Sequence, residues 1–260
     1  MNKWLLTLLL LIPLLPEALA ETAQEKGLAI AVEMDQRDTG WGDMTADMQM
    51  ILRNKRGDES LREIRVKSLE MANDGDKSLT IFDRPRDIKG TAFLSFTHAL
   101  KPDDQWLYLP ALKRVKRISS SNKSGPFMGS EFAYEDLSSQ EVEKYTYKWL
   151  KNDTLDGRDV FVVERYPAYK HSGYKRMIVW IDMKIYKPLK LEFYDRKNAL
   201  LKTLTFHDYK PYLEKYYRPD RMEMKNHQTG KSTTLTWADY QFGTGLSDRD
   251  FDRNALKRTR

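Results

Sequence analysis

From Met44 to Trp237 apolar side chains recur at every second position, segment after segment, and each segment ends in a cluster of turn-forming residues. A period of two places alternate side chains on opposite faces of a strand, whereas a helix would repeat every 3.6 residues. Met44, Ala46, Met48, Met50 and Leu52 fall on one face, and Asp47, Gln49 and Arg53 on the other. Asn54-Lys55-Arg56-Gly57-Asp58 turns the chain. Ile64, Val66 and Ser68 then alternate with Glu63, Arg65 and Lys67, and Asn73-Asp74-Gly75-Asp76 turns it again before Leu79–Phe82. After residue 140 the rhythm resumes with Tyr145, Tyr147 and Trp149, the Asp156-Gly157 turn, and apolar runs at 160–163, 177–181, 189–194, 201–206, 221–224 and 233–237. This is the pattern of an antiparallel meander of about eleven strands, thirteen at most. No strand–helix–strand alternation and no Gly-rich phosphate loop interrupts it. So long a series must close or curl, because flat exposed edges invite unwanted pairing. A sheet that curls without closing leaves a hollow.

The ends differ from the middle. Met1-Asn2-Lys3, the uncharged run Trp4–Leu15 and the Ala18-Leu19-Ala20 terminus have the layout of a cleavable export signal over 1–20, with one mature domain over 21–260. The apolar run is too short for a membrane span, which takes about 20 residues. Residue 21 is Glu and the chain has no Cys, so neither a lipid-modified cysteine nor a disulfide can form. The expectation is a soluble, non-lipidated periplasmic protein. Its net charge is +6, unchanged by the loss of Lys3 and Glu17. Export argues against nucleic acid as the partner of that charge, which leaves solubility and an anionic membrane surface. Residues 21–37 are spaced as an amphipathic helix carrying Ala23, Leu28, Ala31 and Val32, and Ser247 is placed to cap a short helix holding Phe251 and Leu256.

Residues 104–137 are the most distinctive stretch. Trp106-Leu107-Tyr108-Leu109-Pro110 leads to Arg114-Val115-Lys116-Arg117-Ile118, and a Ser-rich loop precedes Phe127-Met128-Gly129-Ser130-Glu131-Phe132-Ala133-Tyr134-Glu135-Asp136-Leu137. This pair resembles the WLYLP…RxxRI and FMGSxFxYEDL motifs of the outer-membrane lipoprotein-sorting family, relatives of the periplasmic carrier LolA. The likeness extends over Gly90–Leu94, Val179–Asp182, Leu201–Leu204 and Arg221–Met224, essentially the whole mature chain. It implies a mainly β fold: one curved antiparallel sheet, an incomplete barrel, with covering helices over a hollow that takes up acyl chains. It further implies a carrier or chaperone for a lipid or lipoprotein, with an RND-type inner-membrane exporter as partner, as is common in this longer branch. A non-catalytic scaffold on such an exporter is the alternative, and an enzyme acting on an envelope lipid a third.

The candidates for the lipid cavity are Met48, Met50, Leu52, Phe93, Trp106, Tyr108, Leu109, Phe127, Met128, Phe132, Tyr134 and Trp180. Aromatics with a polar tip suit a boundary between acyl chain and water, and methionine adapts to variable apolar cargo. Arg114 and Arg117 are the candidates for an anionic headgroup, since a guanidinium forks onto phosphate or carboxylate. They lie three apart on a strand and so point to opposite faces; pairing with Glu131, Glu135 or Asp136 is the competing role. Glu135 and Asp136 are better placed to serve the start of a short helix than to do acid–base chemistry. No catalytic set, cofactor site or metal site is expected: His98, His171, His207 and His227 stand apart, without an HExxH or a paired ligand.

Overall fold

A computed structural model describes residues 21–258 except Asn73 and Leu100; the export signal expected over 1–20 lies outside the described residues. After helix α1 (Ala23–Asp38) the chain forms thirteen strands. The first six are β1 (Asp43–Arg53), β2 (Glu59–Leu69), β3 (Lys77–Arg84), β4 (Ala92–Phe96), β5 (Asp104–Leu109) and β6 (Arg114–Ile118). The remaining seven are β7 (Tyr145–Leu155), β8 (Arg158–Pro167), β9 (Tyr174–Asp182), β10 (Pro188–Asp195), β11 (Leu200–Tyr212), β12 (Tyr216–Asn226) and β13 (Ser232–Phe242). All belong to one antiparallel sheet in the order β6-β5-β4-β3-β2-β1-β13-β12-β11-β10-β9-β8-β7. Two meanders are thus zipped together where β1 pairs β13, and β6 and β7 are left as unpaired edges.

Register fixes which side chains meet. Met48 stands opposite Ile64 on one side and Trp237 on the other, and Met50 opposite Leu235. The same face continues through Phe82 and Phe93 to Leu107, and the other way through Met222, Leu204, Leu191 and Val179 to Val163. These residues form or pack against the main apolar cluster, on the concave side. The convex side is not bare. Leu79, Ile81, Ala92 and Leu94 face outward and are covered by Phe251 and Leu256 of the C-terminal 3-10 turns, the first of which Ser247 and Asp250 cap.

Two segments lie over the concave side. Residues 119–144 cross from edge strand β6 to edge strand β7 and strap the hollow. Helix α1 packs against β7 and reaches β12. Its close approach rests on Gly27: a Cβ there would lie 2.7 Å from the Trp149 amide nitrogen, backbone that cannot move aside. Gly27, Ile30 and Ala31 are the buried face of the helix. The sequence places Leu28 on that face, but it is 46% exposed. The helix turns Gly27, not Leu28, to the strand because only a residue without a side chain allows so short a distance.

Candidate functional site

The curled sheet, the strap and α1 enclose a hollow of about 1020 Å³. Its floor is apolar and comes from both meanders: Met48, Met50 and Phe93 from one, Met177, Val179 and Leu204 from the other. Phe127 and Phe132 of the strap, 1% and 2% exposed, close it from the opposite side.

The strap is held by polar bonds that its sequence motif supplies. Lys202 of β11, buried on the concave face, donates to Asp136 Oδ2 at 2.6 Å and to the Glu131 carbonyl at 2.9 Å. Asp136 also accepts from the Tyr174 hydroxyl at 2.8 Å and from the Ala133 amide at 2.7 Å. Asn226 donates to Glu131 Oε2, and Arg62 to the Met128 carbonyl at 2.5 Å. Glu135 accepts from the Tyr169 and Ser172 hydroxyls and the Gly173 amide. Burial raises its pKa above the usual carboxylate range, against the lowering effect of those donors. Glu135 and Asp136 are therefore latches of the strap.

The mouth lies where exposed residues join the lining: Asp35 in the last turn of the helix, Thr39 and Gly40 after it, Ala72 and Asp74 in the β2–β3 turn, and Gln140 and Glu143 in the strap. Its charge is mostly acidic. Glu70 accepts the Gly40 and Gly42 amides at 2.6 and 2.7 Å, and Asp38 pairs with Lys187 and Arg218 at 2.6 and 2.7 Å. Asp76 lies deeper, and burial, with Glu141, Glu70 and Asp38 adding negative field, raises its pKa to about 7. The folded protein thus keeps a proton on Asp76 up to near neutrality, whereas the unfolded chain releases it near the ordinary aspartate value of 3.8. Stability falls as pH rises between those values, because folding there takes up a proton. Asp76→Asn is expected to stabilise the protein at pH 8 by up to about 4 kcal/mol and to have little effect at pH 3.5. Urea unfolding at the two pH values checks this; an equal shift at both would contradict it.

The structure sorts the residues singled out from sequence. Met48, Met50, Phe93, Phe127 and Phe132 line the hollow. Leu52, Leu109, Met128 and Tyr134 pack against the same cluster behind the lining. Trp106, Tyr108 and Trp180 do not face it. Gln105, Leu107 and Leu109 take the inward positions of β5, so Trp106 and Tyr108 turn outward into the cluster beneath Phe251 and Leu256. Val179 and Ile181 likewise take the inward positions of β9, and Trp180 packs on Val160, Val162 and Leu189 outside. Arg114 and Arg117 are exposed on edge strand β6 and away from the hollow; Arg117 bonds Asp104, its neighbour across the pair of strands, not a strap carboxylate.

Arg165 was not singled out from sequence, yet it lines the hollow, as do Trp237, Tyr145 and Tyr147. The signal is present: Phe161, Val163 and Arg165 alternate, so a charge continues an apolar face.

A family profile described as "Uncharacterized protein" matches residues 74–258. A crystal structure of an outer membrane lipoprotein-sorting protein domain from Vibrio parahaemolyticus is 62% identical, covers 90% of this chain and 100% of its own, and superimposes with a TM-score of 0.89. A DUF1329 family protein from Desulfovibrio piger is 31% identical over 90% of this chain and 99% of its own, with a TM-score of 0.85. A LolA superfamily protein from Nitrosomonas europaea shares the fold at 22% identity, with 90% and 99% coverage and a TM-score of 0.70. No curated protein matches the chain.

Proposed function

The chain belongs to the outer-membrane lipoprotein-sorting protein family, and we propose that its hollow takes up the acyl chains of an envelope lipid or lipoprotein and carries them through the periplasm. The observation that carries this reading is the apolar space itself. A core folded only for stability is packed to crystal-like density, whereas here about 1020 Å³ stays open behind Met, Phe, Val and Leu side chains. Small-ligand sites commonly occupy roughly 300–1,000 Å³. Met44, Met48, Met50, Met177 and Met222 are spread around the lining, and methionine reshapes to chains of different length and unsaturation.

Each methylene moved from water into such a space gains about 0.8 kcal/mol, so a sixteen-carbon chain gains on the order of 10 kcal/mol. Release is then the difficult step, and a partner or a shift of the helix or strap must lower the affinity. An RND-type inner-membrane exporter is the partner class that the resemblance implies. The test is the mass of the native protein isolated without detergent, which should exceed that of the polypeptide by one acyl lipid.

A further inference from the structure

Among the described residues, Arg165 Nε and Trp237 Nε1 are buried side-chain nitrogens with no hydrogen-bond partner. Both residues line the hollow. Both atoms are donors, so what is missing beside each is an acceptor. Buried polar groups without partners are rare in folded proteins because each carries the full cost of leaving water.

Arg165 is the more telling of the two. It stands on the concave face of β8, opposite Tyr147 of β7 and Met177 of β9. Its guanidinium carbon lies 4.4 Å from the centre of the Tyr145 ring, and one Nη lies 3.6 Å from Met177 Sδ, a weak acceptor. Among the described residues no carboxylate pairs with it. Glu164, one residue before, faces outward to Arg176 at 3.1 Å. On the strap, Asp136 is taken by Lys202 and Tyr174, and Glu135 by Tyr169, Ser172 and Gly173. At the mouth Asp38 is taken by Lys187 and Arg218. On a wall shielded from water the guanidinium attracts an anion more strongly than it would at the surface.

We propose that Arg165 anchors the anionic head of an acyl ligand, a carboxylate or a phosphate, while the chain lies against the methionines and phenylalanines of the floor. This rests on the carrier reading and adds the charge of the ligand to it. The planar fork of Arg165 can donate two parallel hydrogen bonds to either head, and the Tyr145 ring and Met177 sulfur orient it without competing for it.

The experiment compares dodecanoate, dodecyl phosphate and dodecanol by titration calorimetry, on the mature protein freed of bound lipid and on Arg165→Met and Arg165→Lys. The anions are expected to bind the wild type about tenfold or more tightly than dodecanol at neutral pH. In Arg165→Met that ratio should collapse towards one, and Arg165→Lys should keep part of it. The anion with the larger ratio distinguishes a carboxylate ligand from a phosphate one. Equal binding of all three probes to the wild type, or a ratio unchanged in Arg165→Met, would overturn the anchor and leave the carrier standing. Failure of every probe to bind the wild type would overturn both. If Arg165→Met does not fold, the wild-type ratio decides alone.

Discussion

Lys202→Met lowers the free energy of unfolding by about 3–5 kcal/mol, the cost of leaving one member of a buried ion pair without its partner. The Lys202 and Asp136 side chains are only 4% and 5% exposed, and their contact is 2.6 Å long. Removing the ammonium leaves the Asp136 carboxylate with the Tyr174 hydroxyl and Ala133 amide as donors but no counter-charge. It also frees the Glu131 carbonyl, the second strap acceptor that Lys202 serves. The loss should therefore be local before it is global: amides of 125–137 exchange faster with solvent under native conditions, while those of β1 and β13 are little affected. Asp136→Asn on top of Lys202→Met removes the stranded charge and should recover at least half of the loss. Urea unfolding of the two single variants and the double variant measures this. A double variant no more stable than Lys202→Met would show that the pair is not what holds the strap.

Phe127→Ala costs a similar amount, about 3–5 kcal/mol, for a different reason. The Phe127 ring is 1% exposed and lies 6.0, 5.1 and 5.5 Å from the rings of Phe82, Phe93 and Tyr134. Truncation removes buried apolar surface and leaves a void whose walls belong to the sheet and cannot close around it. Phe127→Leu, which keeps most of the volume, should lose less than half as much. Because Phe127 also lines the hollow, the Ala variant enlarges that hollow even as it weakens the strap. Thermal and urea unfolding of the two variants check the ranking. Equal losses would mean that volume at this position does not matter and that the ring is not the packing element described here.

The strand series was legible because its alternation and turn clusters act locally, and thirteen strands stand where about eleven were expected. The curled, unclosed sheet follows the same reading. Which face is concave was not legible. Where only one face is apolar, as in β1, the alternation alone separates Met48 and Met50, which line the hollow, from the polar face. Strands β4 and β5 are apolar on both faces, because the C-terminal turns with Phe251 and Leu256 cover the outer one. Periodicity there cannot tell Leu107 from Trp106 or Phe93 from Leu94. Trp180 was misplaced for the same reason, in a strand flanked outside by Val160, Val162 and Leu189.

The site was half legible. The phenylalanines of the motif point into the hollow, and its carboxylates do structural work, but the lysine that latches Asp136 lies 66 residues away in sequence. Arg114 and Arg117 sit inside a motif, which makes them conspicuous in the sequence. Arg165 does not, although its place at the end of an apolar face marks it by physics alone.

The most direct measurement is native mass spectrometry of the protein taken from the periplasmic fraction without detergent, with lipid analysis of whatever is released. The carrier account predicts a discrete added mass matching one acyl lipid, and an anionic head on it if Arg165 acts as the anchor. A polypeptide mass with nothing added, unchanged after incubation with envelope lipids, would contradict that account and leave the sheet as a docking scaffold for a transporter.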